Sequence, residues 1–300
     1  MVSLEVTADL KGKILPVGYP HVDRYMILLT AALVAALLTL FLISVGLTSR
    51  RSFKTENISL KAAKKVEVLI LVDNNRYDGL RSPWGLSMLV RACGHQVLFD
   101  TGPDPDSLRY NAEKLGVDLS KIDAVVISHE HGDHVGGLPY IAAVRPGVRV
   151  YVPEGMSPSV KRWIKGLGLT VVDVGSTTEI CPCMAVIGGL YGPPYEEALA
   201  VRTDEGLVVL VGCSHPGVDR IVMKAENDLK VRPLAVIGGF HLAGASLGKV
   251  RSVVENLVAE GLSKIYPLHC SGPLVREVLR SSYPEEYEEA HVGSLISFGG

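Results

Sequence analysis

From Val66 to the C-terminus, short runs of β-branched and other apolar residues alternate with longer stretches whose apolar positions recur every three or four residues. The runs "VEVLILV" (66–72), "QVLFD" (96–100), "DAVVIS" (123–128), "VRVYV" (148–152), "LTVVDV" (169–174), "LVVLVG" (207–212), "LAVIGG" (234–239) and "KIYPL" (264–268) are predicted strands. The segments near 106–116, 136–145, 157–167, 217–230, 245–261 and 272–281 are predicted helices. Several strands are apolar without alternation, as expected of a sheet covered on both faces. Strand–helix alternation of this kind predicts a layered α/β domain. The Pro/Gly-rich "GGLYGPPYEE" (188–197) interrupts the pattern and reads as a surface loop.

The start of the chain follows another pattern. "MILLTAALVAALLTLFLISVG", Met26 to Gly46, contains no charged residue. As a helix rising ~1.5 Å per residue it would be roughly 30 Å long, the thickness of a hydrocarbon core. It is apolar on every face and bounded by charge, unlike a core helix. It also exceeds a signal-peptide h-region and lacks an A-x-A site. The expected organisation is a short N-terminal segment (1–25), a transmembrane helix (26–47), a basic juxtamembrane linker (48–65) and a folded domain (66–300). The lipid bilayer is then a partner through residues 26–47. Arg50, Arg51, Lys54, Lys61, Lys64 and Lys65 follow the span, against Lys11, Lys13 and Arg24 before it. The positive-inside rule therefore predicts a single-pass protein of the cell membrane with its large domain in the cytoplasm.

A net charge of -2 gives no electrostatic case for nucleic acid as a partner. The five cysteines are odd in number and lack scaffold spacing, so the expectation is free thiols in a reducing compartment.

Six of the nine histidines follow predicted strands: His129, His131 and His134 in "ISHEHGDHVGG", His215 in "LVGCSHPG", His241 in "VIGGFHL" and His269 in "YPLHCSG". Packing does not explain this recurrence at four strand ends, whereas metal binding does, because imidazole and carboxylate are common zinc ligands. In an extended turn His129 and His131 point to one side. Gly132 then lets the backbone carry Asp133 and His134 toward a second position. One string can thus serve two cations ~3.5–4 Å apart.

"HEHGDH" fits the H-x-H-x-D-H signature of the metallo-β-lactamase superfamily, and "LFDTG" (98–102) resembles its Asp-bearing strand end. "GCSHPG", "GGFHL" and "PLHCSG" resemble the downstream motifs of one branch, that of metal-dependent hydrolases and dihydropterin–ribofuranosylaminobenzene 5′-phosphate synthases. The resemblance runs from about Val66 to the C-terminus. It implies a four-layer αββα sandwich with the site at one edge. It further implies that His129, His131 and His215 hold one metal, that Asp133, His134 and His269 hold another, and that Asp100 supports the histidine loop from behind. Many members place a bridging aspartate where this chain offers His241. One imidazole nitrogen has one lone pair and cannot bridge as a carboxylate does. His241 is therefore read as a ligand to a single metal or as a proton or oxyanion group facing substrate. Asp133 and His241 are the candidate catalytic residues. Cys213 and Cys270 read as packing residues, with a zinc-ligand role open to Cys270 because it adjoins His269 and thiolate is a good zinc ligand; Glu130 reads as pointing away, and Asn74, Arg76 and Trp84 as candidate substrate contacts.

The implied function is that of a membrane-anchored hydrolase. Two zinc ions, with iron or manganese as alternatives, would hold a hydroxide that attacks an ester, lactone or phosphate of a small molecule, phosphorylated or not. Three alternatives share the same cradle: a synthase of the dihydropterin type, an iron-dependent redox enzyme, and a non-catalytic membrane-tethered sensor.

Overall fold

The computed structural model describes residues 28, 29, 31–37, 39 and 58–300. The chain divides between Thr55 and Glu56. In the first unit the described residues are helical and exposed. Among the described residues no helix is long and apolar enough to cross a membrane. Most of the span expected at 26–47 lies outside the described residues, as do 1–25 and 48–57.

The second unit is built from strands β1 (Lys65–Val72), β2 (Ser87–Ala92), β3 (His95–Phe99), β4 (Ala124–Val126), β5 (Arg149–Pro153), β6 (Thr170–Val174), β7 (Thr178–Cys181), β8 (Met184–Tyr191), β9 (Tyr195–Arg202), β10 (Leu207–Val211), β11 (Pro233–Gly239), β12 (Lys264–Leu268) and β13 (Leu295–Gly299). Its helices are α1 (Pro105–Lys114), α2 (Gly132–Val135), α3 (Leu138–Val144), α4 (Pro158–Gly166), α5 (Val218–Leu229), α6 (Leu247–Ala259) and α7 (Pro273–Ser282). One sheet has the order β13-β1-β2-β3-β4-β5-β6 and the other β12-β11-β10-β9-β8-β7. Both are mixed: β3 to β6 run parallel beside an antiparallel half, and β10 to β12 run parallel beside antiparallel β7 to β9.

Three apolar layers hold the sandwich together. Phe99, Val126, Leu199, Val208 and Ile237 meet between the sheets. Leu108, Leu138 and Ile164 of α1, α3 and α4 cover the outer face of the first sheet. Ile221, Val254 and Leu279 of α5, α6 and α7 cover the second. The order helix–sheet–sheet–helix is the expected αββα arrangement, and continuous burial along β4 and β10 reflects cover on both faces.

The structure departs from the sequence expectations in three places. Residues 188–197 are not a free loop: β8 runs to Tyr191 and β9 begins at Tyr195, so they form the tip of a hairpin. The expected linker ends earlier than residue 65, because Leu60 and Ala63 are buried and Lys61 and Ala63 donate backbone hydrogen bonds to Pro182 and Arg202. Finally, Cys93 and Cys183 are disulfide-bonded, which corrects the reading of all five cysteines as free thiols. The bond joins the β2–β3 turn to the start of β8, one residue from each sheet.

Candidate metal centre

The site lies where chain leaves the C-terminal ends of β1, β3, β4, β10, β11 and β12. Phe99 of β3 pairs with Val126 of β4, so the residues after both strands emerge side by side. Asp100, at φ 56°, turns its carboxylate under the histidine loop. It accepts from Ser128 N and Ser128 Oγ, each at 2.7 Å. His131 caps α2, whose single turn carries Asp133 and His134.

Two donor groups result. His129, His131 and His215 form the first cradle, with His129 Nε2 3.1 Å from His131 Nδ1. Asp133, His134, His269 and Cys213 form the second. In it, His134 Nε2 lies 3.3 Å from Cys213 Sγ and 3.6 Å from Asp133 Oδ2, and that oxygen lies 3.2 Å from His269 Nε2. Donors around a tetrahedral zinc, at ~2.0–2.3 Å from the ion, are roughly 3.3–3.7 Å apart, so the set fits such an ion. His269 Nε2 is buried with no hydrogen-bond partner, as befits a lone pair reserved for a cation.

The remaining ring nitrogens are occupied from behind, which fixes each tautomer. His134 Nδ1 donates to Asp100 Oδ2 at 2.7 Å. His215 Nδ1 donates to Glu196 Oε2 at 2.9 Å, and His269 Nδ1 to Asn74 Oδ1 at 2.9 Å. His129 Nδ1 donates to Ser128 Oγ, whose hydroxyl in turn donates to Asp100 Oδ2. In all four rings Nε2 faces the cradles. Glu196 also accepts from the backbone N–H groups of Ser214 and His215, and Asp73 accepts from that of His269 at 2.7 Å.

The sequence profile of the metallo-beta-lactamase superfamily matches residues 85–219, the stretch that carries Asp100, the histidine string and His215. Over that stretch the chain resembles the metallo-beta-lactamase superfamily. It is 27% identical over 275 residues to the 7,8-dihydropterin-6-methyl-4-(beta-D-ribofuranosyl)-aminobenzene-5'-phosphate synthase of Methanocaldococcus jannaschii, covering 74% of this chain and 94% of that protein. Among solved structures it resembles Tm1679, a metal-dependent hydrolase of the beta-lactamase superfamily, at 27% identity and a TM-score of 0.68, covering 78% of this chain and 100% of that one. A diphosphatase of the PhnP family shares the fold at 19% identity and a TM-score of 0.53, covering 78% of this chain and 97% of that one.

The electrostatics of the two cradles differ. Burial, reinforced by the neighbouring His134 and His215, pushes the His129 pKa well below its ordinary value. Burial also opposes charge on His134, but the Asp100 carboxylate outweighs it and the pKa is raised. Burial would raise Asp133, yet the His269 contact and the charge of His134 pull it below the carboxylate range.

Seven of the eight expected site residues, Asp100, His129, His131, Asp133, His134, His215 and His269, come together in or behind the two cradles. His241 joins neither: it stands exposed beside His215, ring centroids 4.5 Å apart, and shares a third group with Cys213 and Cys270. Cys213, read from sequence as a packing residue, takes the fourth place in the second cradle. Glu196 and Asp73 were not singled out by the sequence. Asn74 serves His269 rather than facing outward, through its amide oxygen and an Nδ2–H donated to the His269 carbonyl. Glu130 turns away as expected and accepts from Ser157 N at 2.6 Å.

Proposed function

We propose that this protein is a metal-dependent hydrolase of small molecules carrying an ester, lactone or phosphate-type bond. The observation that supports this most directly is the pair of cradles in which every buried imidazole is held at Nδ1 and presents Nε2. His129, His131 and His215 would hold one ion, and Asp133, His134, His269 and Cys213 a second. Bound divalent ions there would lower the pKa of a water and polarise the attacked oxygen. The chain's own groups do the rest. Asp100, Glu196 and Asn74 hold the rings in place, and ionised Asp133 accepts a hydrogen bond and so orients a water. Exposed His241, at the rim beside His215, donates toward the developing negative charge on substrate. Zinc suits the mixed nitrogen, oxygen and sulfur donors, and a thiolate in the set favours zinc or iron over manganese.

The test combines elemental analysis of the purified protein with a turnover screen of phosphodiesters, lactones, thioesters and pterin phosphates. His131→Ala, at an exposed position, is expected to keep the fold and lose turnover by about 10²-fold or more. Undiminished activity in that variant would refute the assignment.

One observation favours a second reading, a synthase acting on a dihydropterin and an aminobenzene ribose phosphate, as the Methanocaldococcus relative is named. Trp84 is 55% exposed and its ring centroid lies 4.8 Å from that of His269, which offers a stacking surface for a planar ring beside the second cradle. Product formation from those two substrates, with no hydrolysis of simple esters, would decide for it.

The apolar run at 26–47 supports attachment to a membrane, with the domain on the cytoplasmic side. Protease protection of the domain in sealed right-side-out vesicles is the expected result, and its digestion from outside would reject that orientation.

A further inference from the structure

The third donor group differs from both cradles in origin. Cys213 follows β10, His241 follows β11 and Cys270 follows β12, so all three come from adjacent parallel strands of the second sheet. Each cradle, by contrast, combines residues from both sheets. Cys213 Sγ, Cys270 Sγ and a ring nitrogen of His241 lie within 4.8 Å of one another. Both thiols are buried, and His241 opens the group to solvent.

The backbone is shaped to bring them together. His241 itself is left-handed at φ 50°, Ser214 beside Cys213 at φ 62°, and His269 beside Cys270 at φ 46°. One left-handed residue other than glycine on each of three neighbouring loops is a concentration of strain. Gly239 supplies the space: a Cβ there would fall 2.7 Å from Cys270 Sγ. Two sulfurs and an imidazole are a soft donor set, suited to zinc, iron(II), cobalt(II) or cadmium rather than magnesium, calcium or manganese.

We propose that Cys213, His241 and Cys270 form a further binding site for a thiophilic divalent cation, adjoining the two cradles and sharing Cys213 with the second. Binding forms two metal–sulfur bonds and one metal–nitrogen bond, and the two thiol protons leave to solvent. No electron is transferred. The thiolate of Cys213 has lone pairs for an ion on either side. This inference rests on the fold and on the three side chains, not on hydrolysis being the reaction.

The test is a cobalt(II) titration of the metal-free full-length protein, with free thiols counted beforehand. Bound metal and sulfur-to-cobalt charge-transfer absorption are read together. The expected result is that Cys270→Ser and His241→Gln each bind one ion fewer than the unsubstituted protein, and that Cys270→Ser keeps only the absorption of a single thiolate. His241→Gln replaces an exposed side chain, so it reports on the site even if Cys270→Ser folds poorly. His131→Ala separates the two proposals: it should lose an ion from the first cradle and leave the sulfur absorption unchanged. Equal stoichiometry and equal absorption in the unsubstituted protein, Cys270→Ser and His241→Gln would overturn the proposal. So would a saturated protein with no sulfur-to-cobalt band.

Discussion

Glu197 is fully buried and neither of its carboxylate oxygens has a partner, although its neighbour Glu196 is fully employed. The two differ by one position on β9, so they face opposite sides of the strand. Glu196 reaches His215, while Glu197 shares its side with Leu199 and Val201 between the sheets. Burial, helped by nearby Asp100 and Asp173, pushes Glu197 well above the ordinary value of 4.5. A group that holds its proton more tightly when folded stabilises the fold only at low pH, and that contribution is lost as pH rises above the unfolded value. Glu197→Gln, neutral at every pH, should therefore match the unsubstituted protein near pH 4.5 and exceed it in Tm by a growing margin toward neutrality. Thermal melts across that range are the check, and a margin that does not grow with pH contradicts it. Nothing in "PPYEE" announces either role, because polarity there reads as a turn and burial comes from neighbouring strands. Cys213 was hidden for a different reason. Two residues from His215, it would face the same way in a regular strand, but left-handed Ser214 turns the two side chains to different cradles.

At the scale of elements, the histidine loop depends on close backbone approach. A Cβ on Gly136 would sit 1.9 Å from the Pro103 carbonyl oxygen, and one on Gly137 would sit 2.1 Å from that of Thr101. Those glycines let α2 press against the chain after β3, where Thr101 N donates to the His134 carbonyl. Gly136→Ala must push these segments apart, at an overpacking cost of about 1–3 kcal/mol. Denaturant unfolding should show the loss, together with weaker metal retention against a chelator; unchanged stability and retention would argue against this account. The eight apolar runs read as strands, and the six amphipathic stretches read as helices, correspond to observed elements. Four of the five strands not foreseen have physical reasons for escaping notice. β8 contains Gly188 and Gly189, β9 carries two buried glutamates after exposed Tyr195, and β7 and β13 are short and half-exposed. The candidate histidine and aspartate ligands were legible because they crowd beside apolar runs, Cys213 excepted. Among their supports Asp100 was named through the resemblance, whereas Asp73 and Glu196 were not, because they act through folding of distant segments.

Across the whole molecule the two cradles should respond differently to acid. Protons compete with metal for imidazole nitrogen. His134 holds a raised pKa, so it takes up a proton at a higher pH than an ordinary histidine of 6.5, whereas His129 does so only at a lower pH. Acidification should therefore empty the second cradle before the first. Cobalt absorption of the Cys270→Ser variant followed during a pH titration distinguishes the two, since Cys213 of the second cradle is then the one thiolate left among the three donor groups. Retention of the sulfur-dependent signal after the histidine-only signal has gone would be the contrary result.

In the first cradle, His129 and His131 come from one sheet and His215 from the other; in the second, Asp133 and His134 face Cys213 and His269 across the same seam. The Cys93–Cys183 bond joins the same two sheets where β3 and β8 begin, at the far end of those strands. Mechanically, the sandwich is riveted along one rim by a covalent pin, and ions held in the cradles would be exchangeable pins along the other. Stiffness of the interface would then vary with what occupies the cradles. Stripping any bound ions should let the two leaves breathe, with faster amide exchange at Val126 and Val208, both buried in the core between the sheets.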